Sequence, residues 1–206
     1  MPVGNGAVGK TSLAMALQHD PLSDTWRAAL ARVRKTKNLE FEFLTDHIRV
    51  DGADYLVLQQ YLIPPGQKEA EGDSTGRSFE DVVDIYRFQI RRVDVVLLSY
   101  SITRIESFHD LEYWVQQVNE LCNDQTSFIL VGTHLDREAE REVMPAHVCD
   151  GQAYVEATLR AVRPNWRGTC TAVEISSLTG ANLIDLRQLI SLVILRARKP
   201  CPDESW

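Results

Sequence analysis

The sequence predicts an α/β fold of three layers, helix on sheet on helix, with a mostly parallel sheet and one antiparallel hairpin strand. Three observations carry this expectation. From residue 93 onward, short β-rich apolar runs alternate with amphipathic stretches of helical period. Between Leu39 and Ile63, two runs of strand character are joined by Asp51-Gly52, a hairpin turn signal. Near the start, Gly4, Gly9, Lys10 and Thr11 fit the spacing G-x-x-x-x-G-K-[ST], directly ahead of a run of helix formers.

Such a loop follows a buried strand and opens a helix. The helix is expected over Thr11 to Gln18 (TSLAMALQ), but only Met1, Pro2 and Val3 precede the first glycine. A central strand ordinarily has about 5–6 residues. A shorter one leaves ladder groups of its neighbours unpaired. The expectation is that a few β-branched residues are encoded just upstream of Met1, which a stop codon immediately before it would refute. The other reading is a stub strand, Met1 to Val3, in a weakened domain.

The remaining elements follow in order. Leu39 to Val50 and Tyr55 to Ile63 are the hairpin strands, the second stopped by Pro64-Pro65-Gly66. Gln67 to Ser78 is polar and reads as a mobile loop. Ser78 to Arg91 reads as a helix, with Phe79, Val82, Val83, Tyr86 and Ile90 on one face. Val93 to Ile102 is a nearly continuous apolar run, as a buried parallel strand requires. Ser107 to Leu121 reads as one helix, with Phe108, Leu111, Trp114, Val115 and Val118 inward. Phe128 to Gly132 is a strand, and Asp136 to Asp150 a charged surface loop. Val148 to Val162 is a helix, Thr171 to Ile175 a strand and Leu183 to Ala197 the last helix. One domain is expected over residues 1–198, with 199–206 a disordered tail.

Composition narrows the class. The chain has 206 residues, 44% hydrophobic and 25% charged, enough apolar material for a sizeable core. A net charge of −7 argues against nucleic acid as a partner. The basic run Arg32 to Lys37 is short and reads as a solvated loop or helix end. Cys122, Cys149, Cys170 and Cys201 lack metal-site spacing and are expected as reduced thiols, which suits a cytoplasmic location. No lipid-anchor motif, signal peptide or transmembrane run is visible.

The chemistry of the loop is specific. Gly4, Gly6, Ala7, Val8 and Gly9 present backbone N–H groups to a phosphate, and the helix start at Lys10, Thr11 and Ser12 adds partial positive charge. Lys10 is expected on the terminal phosphates and Thr11 on Mg²⁺.

Three further stretches sit at carboxyl ends of strands, where ligands bind in open α/β sheets. They are Pro64-Pro65-Gly66-Gln67, Gly132-Thr133-His134-Leu135-Asp136 and Ile175-Ser176-Ser177-Leu178-Thr179-Gly180. With the phosphate loop, their order and spacing resemble the Ras-like small GTPases of the P-loop NTPase fold, from Gly4 to about Arg198. The style without lipid anchors resembles prokaryotic members.

That resemblance implies a role for each residue. Gly66 would meet the terminal phosphate and Gln67 would orient the attacking water. Ile63 stands where the family has an aspartate that holds Mg²⁺ through water. Thr133, His134 and Asp136 stand where the family has Asn-Lys-x-Asp, and the Thr-His-x-Asp form resembles Roc domains. The Asp136 carboxylate would accept two hydrogen bonds from guanine, which adenine does not offer. As plain residues, His134 is a loop histidine and Asp136 a turn cap. Ser176, Ser177 and Leu178 stand at a Ser-Ala-Lys motif, with leucine in place of lysine. Thr36 is the expected second threonine on Mg²⁺, and Thr25 is its rival.

The implied activity is a molecular switch with GTP, GDP and Mg²⁺ as cofactors. It would hydrolyse GTP slowly and change partners among effector, exchange and GTPase-activating proteins. No built-in arginine is singled out for catalysis. Ile63, Leu178 and the short first strand favour a second reading, an impaired pseudo-GTPase used as a protein-binding module. A third, an ATP-using P-loop enzyme, is opposed by Asp136 and by Tyr100-Ser101, where many ATPases carry an acidic residue.

Overall fold

The computed structural model describes residues 1–19, 23–31, 40–64, 79, 93–119 and 122–198. Its strands are β1 (Pro2–Val3), β2 (Glu40–Val50), β3 (Ala53–Ile63), β4 (Val95–Ser101), β5 (Ser127–Thr133) and β6 (Cys170–Glu174). Its helices are α1 (Lys10–Gln18), α2 (Asp24–Leu30), α3 (Ile105–His109), α4 (Leu111–Asn119), α5 (Pro145–Val162) and α6 (Leu183–Arg198), with a 3₁₀ turn over Leu135–Glu140. The architecture is the expected three-layer α/β/α, with a parallel sheet ordered β1-β4-β5-β6 and an antiparallel hairpin β2-β3.

The two apolar strands form the centre of the sheet. Every residue of β4 (VVLLSYS) and β5 (SFILVGT) is buried. Alternate side chains point to opposite faces of a strand, so each run feeds two cores. Val96, Leu98, Phe128 and Leu130 pack with Trp114, Val115 and Val118 of α4 and with Leu159 of α5. Val95, Leu97, Ile129 and Val131 pack on the other face with Leu13 and Leu17 of α1 and Leu186 and Ile190 of α6.

The hairpin pairs from Glu40↔Ile63 to Val50↔Ala53. Asp51 (φ 52) and Gly52 (φ 80) both take the left-handed conformation that a two-residue turn needs. A polar cluster ties the hairpin to α6. Arg187 Nε donates to Asp46 Oδ1 at 2.9 Å, Ser191 Oγ donates to Asp46 Oδ2 at 2.7 Å, and Gln59 Nε2 donates to Ser191 Oγ at 2.6 Å.

Strand β1 is the stub. It pairs with β4 through Pro2↔Leu97 and Val3↔Leu98, and the hairpin forms its own sheet instead of extending this ladder. The first strand is thus truncated and laddered to β4 alone, because two residues offer too few backbone groups to pair on both sides. The Met1 ammonium donates to Val95 O at 2.8 Å, and burial lowers its pKa to about 5. Beyond it lies a cleft of about 700 Å³, bounded by Leu56, Leu58 and Tyr61 of β3, Val95 of β4 and Ile194 of α6.

Three local expectations change. The helix read over Ser107 to Leu121 is two helices with a junction at Asp110, whose carboxylate accepts a hydrogen bond from Asn5 Nδ2 at 2.6 Å. Helix α5 starts at Pro145 instead of Val148, because proline suits the first helical position, so the charged loop is shorter than expected. Helix α2 was not expected. Ser23 Oγ accepts the Trp26 N–H at 3.2 Å at its start, and Trp26 is buried. The expected loop over Gln67 to Ser78, nearly all of the helix over Ser78 to Arg91 and the tail lie outside the described residues.

Candidate nucleotide site

The loop Gly4–Gly9 emerges at the carboxyl end of β1 and opens α1. A Cβ at Gly4 (φ +142) would stand 2.1 Å from the Ser99 carbonyl oxygen, so only glycine lets the chain pass β4 here. Gly9 (φ 88) supplies the left-handed cap of α1. Ala7 also takes positive φ (60), a conformation costly for a residue with a Cβ.

Lys10 is 7% exposed. Its Nζ donates to Gly4 O at 2.8 Å and to Asn5 O at 2.6 Å. Burial lowers its pKa to about 7, and the neighbouring Arg104 charge adds to the effect. Both partners are neutral carbonyls. A buried cation with a remaining donor and, among the described residues, no carboxylate paired with it suits an anion. Thr11 and Ser12 are half-buried in the first turn of α1, and Val8 and Gly6 complete the loop.

The end of β5 closes against this loop. Thr133 is 2% exposed, and its hydroxyl lies 2.8 Å from Val8 O and 2.9 Å from Tyr100 O. His134 takes the left-handed conformation (φ 65), and its Nδ1 lies 2.9 Å from Thr133 Oγ1 and 3.0 Å from Ser101 Oγ. Because the Thr133 proton faces carbonyls, its oxygen serves as an acceptor, which favours the proton on His134 Nδ1. Burial lowers the His134 pKa, Asp136 opposing it, which favours the neutral ring. The His134 Cε1 lies 3.8 Å from a Cβ built on Gly9, so the ring borders the loop.

Asp136 is exposed and accepts from Ser176 Oγ at 2.5 Å. Ser176 is fully buried, and its hydroxyl also accepts the N–H groups of Leu178 at 3.2 Å and Thr179 at 3.1 Å. The Leu135 N–H donates to Ile175 O at 3.1 Å, drawing the ends of β5 and β6 together. Ser177 is half-buried, and Leu178 is 67% exposed. The structure thus brings Gly4–Thr11, Thr133–Asp136 and Ser176–Leu178 to one end of the sheet. Ile63 is 1% exposed among Leu13, Leu17 and Val131, and it has no oxygen to offer a metal's water. Thr25 lies on α2 with its hydroxyl 2.9 Å from Ser23 Oγ. Thr36, Gly66 and Gln67 lie outside the described residues.

Two residues escaped the sequence reading. Asn5 accepts from Trp114 Nε1 at 2.8 Å and donates to Asp110, pinning the loop to α4. Arg104 Nη2 donates to Gly6 O at 3.1 Å. Each had a signal. Asn5 lies inside the loop motif, and Arg104 follows the carboxyl end of a central strand.

A sequence model described as "Ras family" matches residues 73–159. That stretch includes Thr133, His134 and Asp136 but not the phosphate loop. The chain is 29% identical over 141 residues to the human EF-hand calcium-binding domain-containing protein 4B, covering 68% of this chain and 16% of that protein. It is 25% identical to human Ras-related protein Rab-12 over 142 residues, 68% of this chain and 48% of Rab-12. It is 27% identical to Ras-related protein RABA5b of Arabidopsis thaliana over 154 residues, 75% of this chain and 59% of that protein. The match to each Ras-related protein thus spans about half of that protein, and the match to the EF-hand protein a much smaller share. The fold is Ras-superfamily-like, and the sequence is similar to Ras-related proteins over about two thirds to three quarters of this chain. Among the described residues, no helix is long and apolar enough to cross a membrane.

Proposed function

We propose that this chain is a guanine-nucleotide switch. GTP or GDP lies along Gly4–Ser12 with Lys10 on the phosphates, and Asp136 reads guanine, supported by Thr133, His134 and Ser176–Leu178. Slow hydrolysis of GTP, with Gln67 orienting water, changes the affinity for effector, exchange and activating proteins. The observation that carries the reading is Lys10, whose buried ammonium has, among the described residues, only carbonyl partners beside the loop. The Asp136 bond to Ser176 supports the guanine half, since it holds one carboxylate oxygen and leaves the other without a hydrogen bond among the described residues. The Thr-His-x-Asp likeness to Roc domains belongs to this reading.

Mg²⁺ would neutralise charge on the phosphates when bound. Thr11, with Thr36, is the residue assigned to it, and Ile63 does not fit. Ile63 and the exposed Leu178 together favour a second reading, an impaired GTPase that works as a protein-binding module.

Titration with fluorescent GDP and ADP, with and without Mg²⁺, separates the readings. Tight GDP binding that Lys10→Ala and Asp136→Ala each abolish, with ADP ignored, is the expected result. A timed GTP-turnover assay then distinguishes a working switch from an impaired one. Equal binding of ADP, or none of either nucleotide, overturns the proposal.

A further inference from the structure

Arg104 stands where β4 gives way to α3, and its backbone is held on both sides. Its N–H donates to Ser101 O at 3.1 Å, and its carbonyl accepts from Ser107 Oγ at 2.6 Å and Ser107 N at 3.1 Å. From this anchored turn the half-buried side chain reaches back 98 residues in sequence to the Gly6 carbonyl. A guanidinium has five N–H donors. Among the described residues only this one hydrogen bond engages the Arg104 side chain, and no carboxylate pairs with it.

Two titratable neighbours of this group point the same way. Arg104 contributes to the lowered pKa of both Lys10 and His134, so its charge reaches both sides of the loop. Asp110 accepts a hydrogen bond from Asn5 of the loop. Among the described residues neither Lys10 nor Arg104 forms an ion pair with a carboxylate, so positive charge at the loop meets only carbonyl oxygens, an arrangement that costs free energy until an anion enters. Guanidinium is suited to phosphoryl oxygens, which it binds through paired N–H groups.

We propose that Arg104 is a charge-reading residue of the phosphate site, supplied by the chain itself, that favours a nucleoside triphosphate over the diphosphate. This rests on the nucleotide-binding reading above and deepens it. Gly6 anchors the guanidinium at the loop, and the further charge of a terminal phosphoryl group is what it senses.

The test compares the chain with Arg104→Gln and Arg104→Lys, each checked by thermal unfolding. The probes are fluorescent GDP and a fluorescent non-hydrolysable GTP analogue in Mg²⁺, across a salt series. Glutamine keeps an N–H donor but carries no charge; lysine keeps the charge. Arg104→Gln should weaken the triphosphate analogue about tenfold relative to GDP and flatten its salt dependence. Arg104→Lys should restore part of the preference and the steeper salt dependence. Equal weakening of both nucleotides with an unchanged salt slope, or no change in either, overturns the inference alone. Failure of the unmodified chain to bind either nucleotide overturns the function reading as well. Should Arg104→Gln fail to fold, the lysine variant decides, because loss of the preference despite its retained charge overturns the inference.

Discussion

The hydroxyl of Thr133 lies 2.8 Å from the carbonyl oxygen of Val8, joining the end of β5 to the phosphate loop across 125 residues of sequence. Both groups are buried. Thr133→Val keeps the shape and removes the donor, stranding the Val8 carbonyl. The expected cost is about 1–3 kcal/mol, read as a lower urea midpoint with an unchanged denaturant slope. GDP affinity should fall as well. A variant as stable as the parent would show that the loop does not depend on this bond.

Lys10 gives the ligand-free protein a characteristic pH dependence. Its folded pKa of about 7 lies below the ordinary lysine value of 10.5. Between those values the unfolded chain binds the proton and the folded one does not. Stability therefore rises with pH across that window, by up to about 1.4 kcal/mol per pH unit. Burial raises the Cys122, Cys170, Tyr61 and Tyr100 pKa values, which works in the opposite direction at alkaline pH. The difference between the parent and Lys10→Met cancels those groups. That difference should shrink steadily from pH 7 upward in urea titrations. A difference independent of pH would contradict a buried, destabilised ammonium.

The clamp between hairpin and α6 rests on Asp46, whose side chain is 8% exposed, and Arg187, 29% exposed. Asp46→Ala removes the acceptor for both Arg187 and Ser191. Allowing for partial solvent screening of Arg187, about 2–3 kcal/mol of destabilisation is expected. Asp46→Leu combined with Arg187→Met should lose less than the two single changes summed. Additive losses in that cycle would show that the pair is not coupled.

Two glycines with positive φ separate steric from conformational cost. Gly52→Ala meets open space and should cost about 1–2 kcal/mol, the ordinary penalty of a Cβ in a left-handed turn. Gly4→Ala drives a methyl group into the Ser99 carbonyl, and the backbone of β4 must move. A loss well beyond that of Gly52→Ala, or failure to accumulate folded protein, is expected on expression and thermal unfolding. Comparable losses would mean that β4 yields easily.

Much of the fold was legible because its signals are local. Runs such as VVLLSYS and SFILVGT have no polar face and must be covered on both sides, which makes them central strands wherever they occur. Asp51-Gly52 names its turn because few residues take positive φ twice in succession. The helix over Ser107 to Leu121 was misjudged for a complementary reason. Its apolar spacing continues across Asp110, and the junction lies beside a long-range bond from Asn5 that periodicity does not contain. Helix α2 was overlooked although Ser23 carried a capping signal.

The chain's own sequence determined the phosphate-loop spacing, the order of the strands, the hairpin turn and the replacement of an expected acid by Ile63. These follow from residue type and spacing along a few turns or strand repeats. Tertiary structure alone decided that β1 ladders only to β4, that Lys10 is buried against carbonyls, that Thr133 holds Val8 and that Arg104 stands at Gly6. Each of the last three is a directional polar contact, and those of Thr133 and Arg104 reach across about a hundred residues. Hydrophobic periodicity selects which face of an element turns inward. It does not specify which polar atom meets which once the layers have closed.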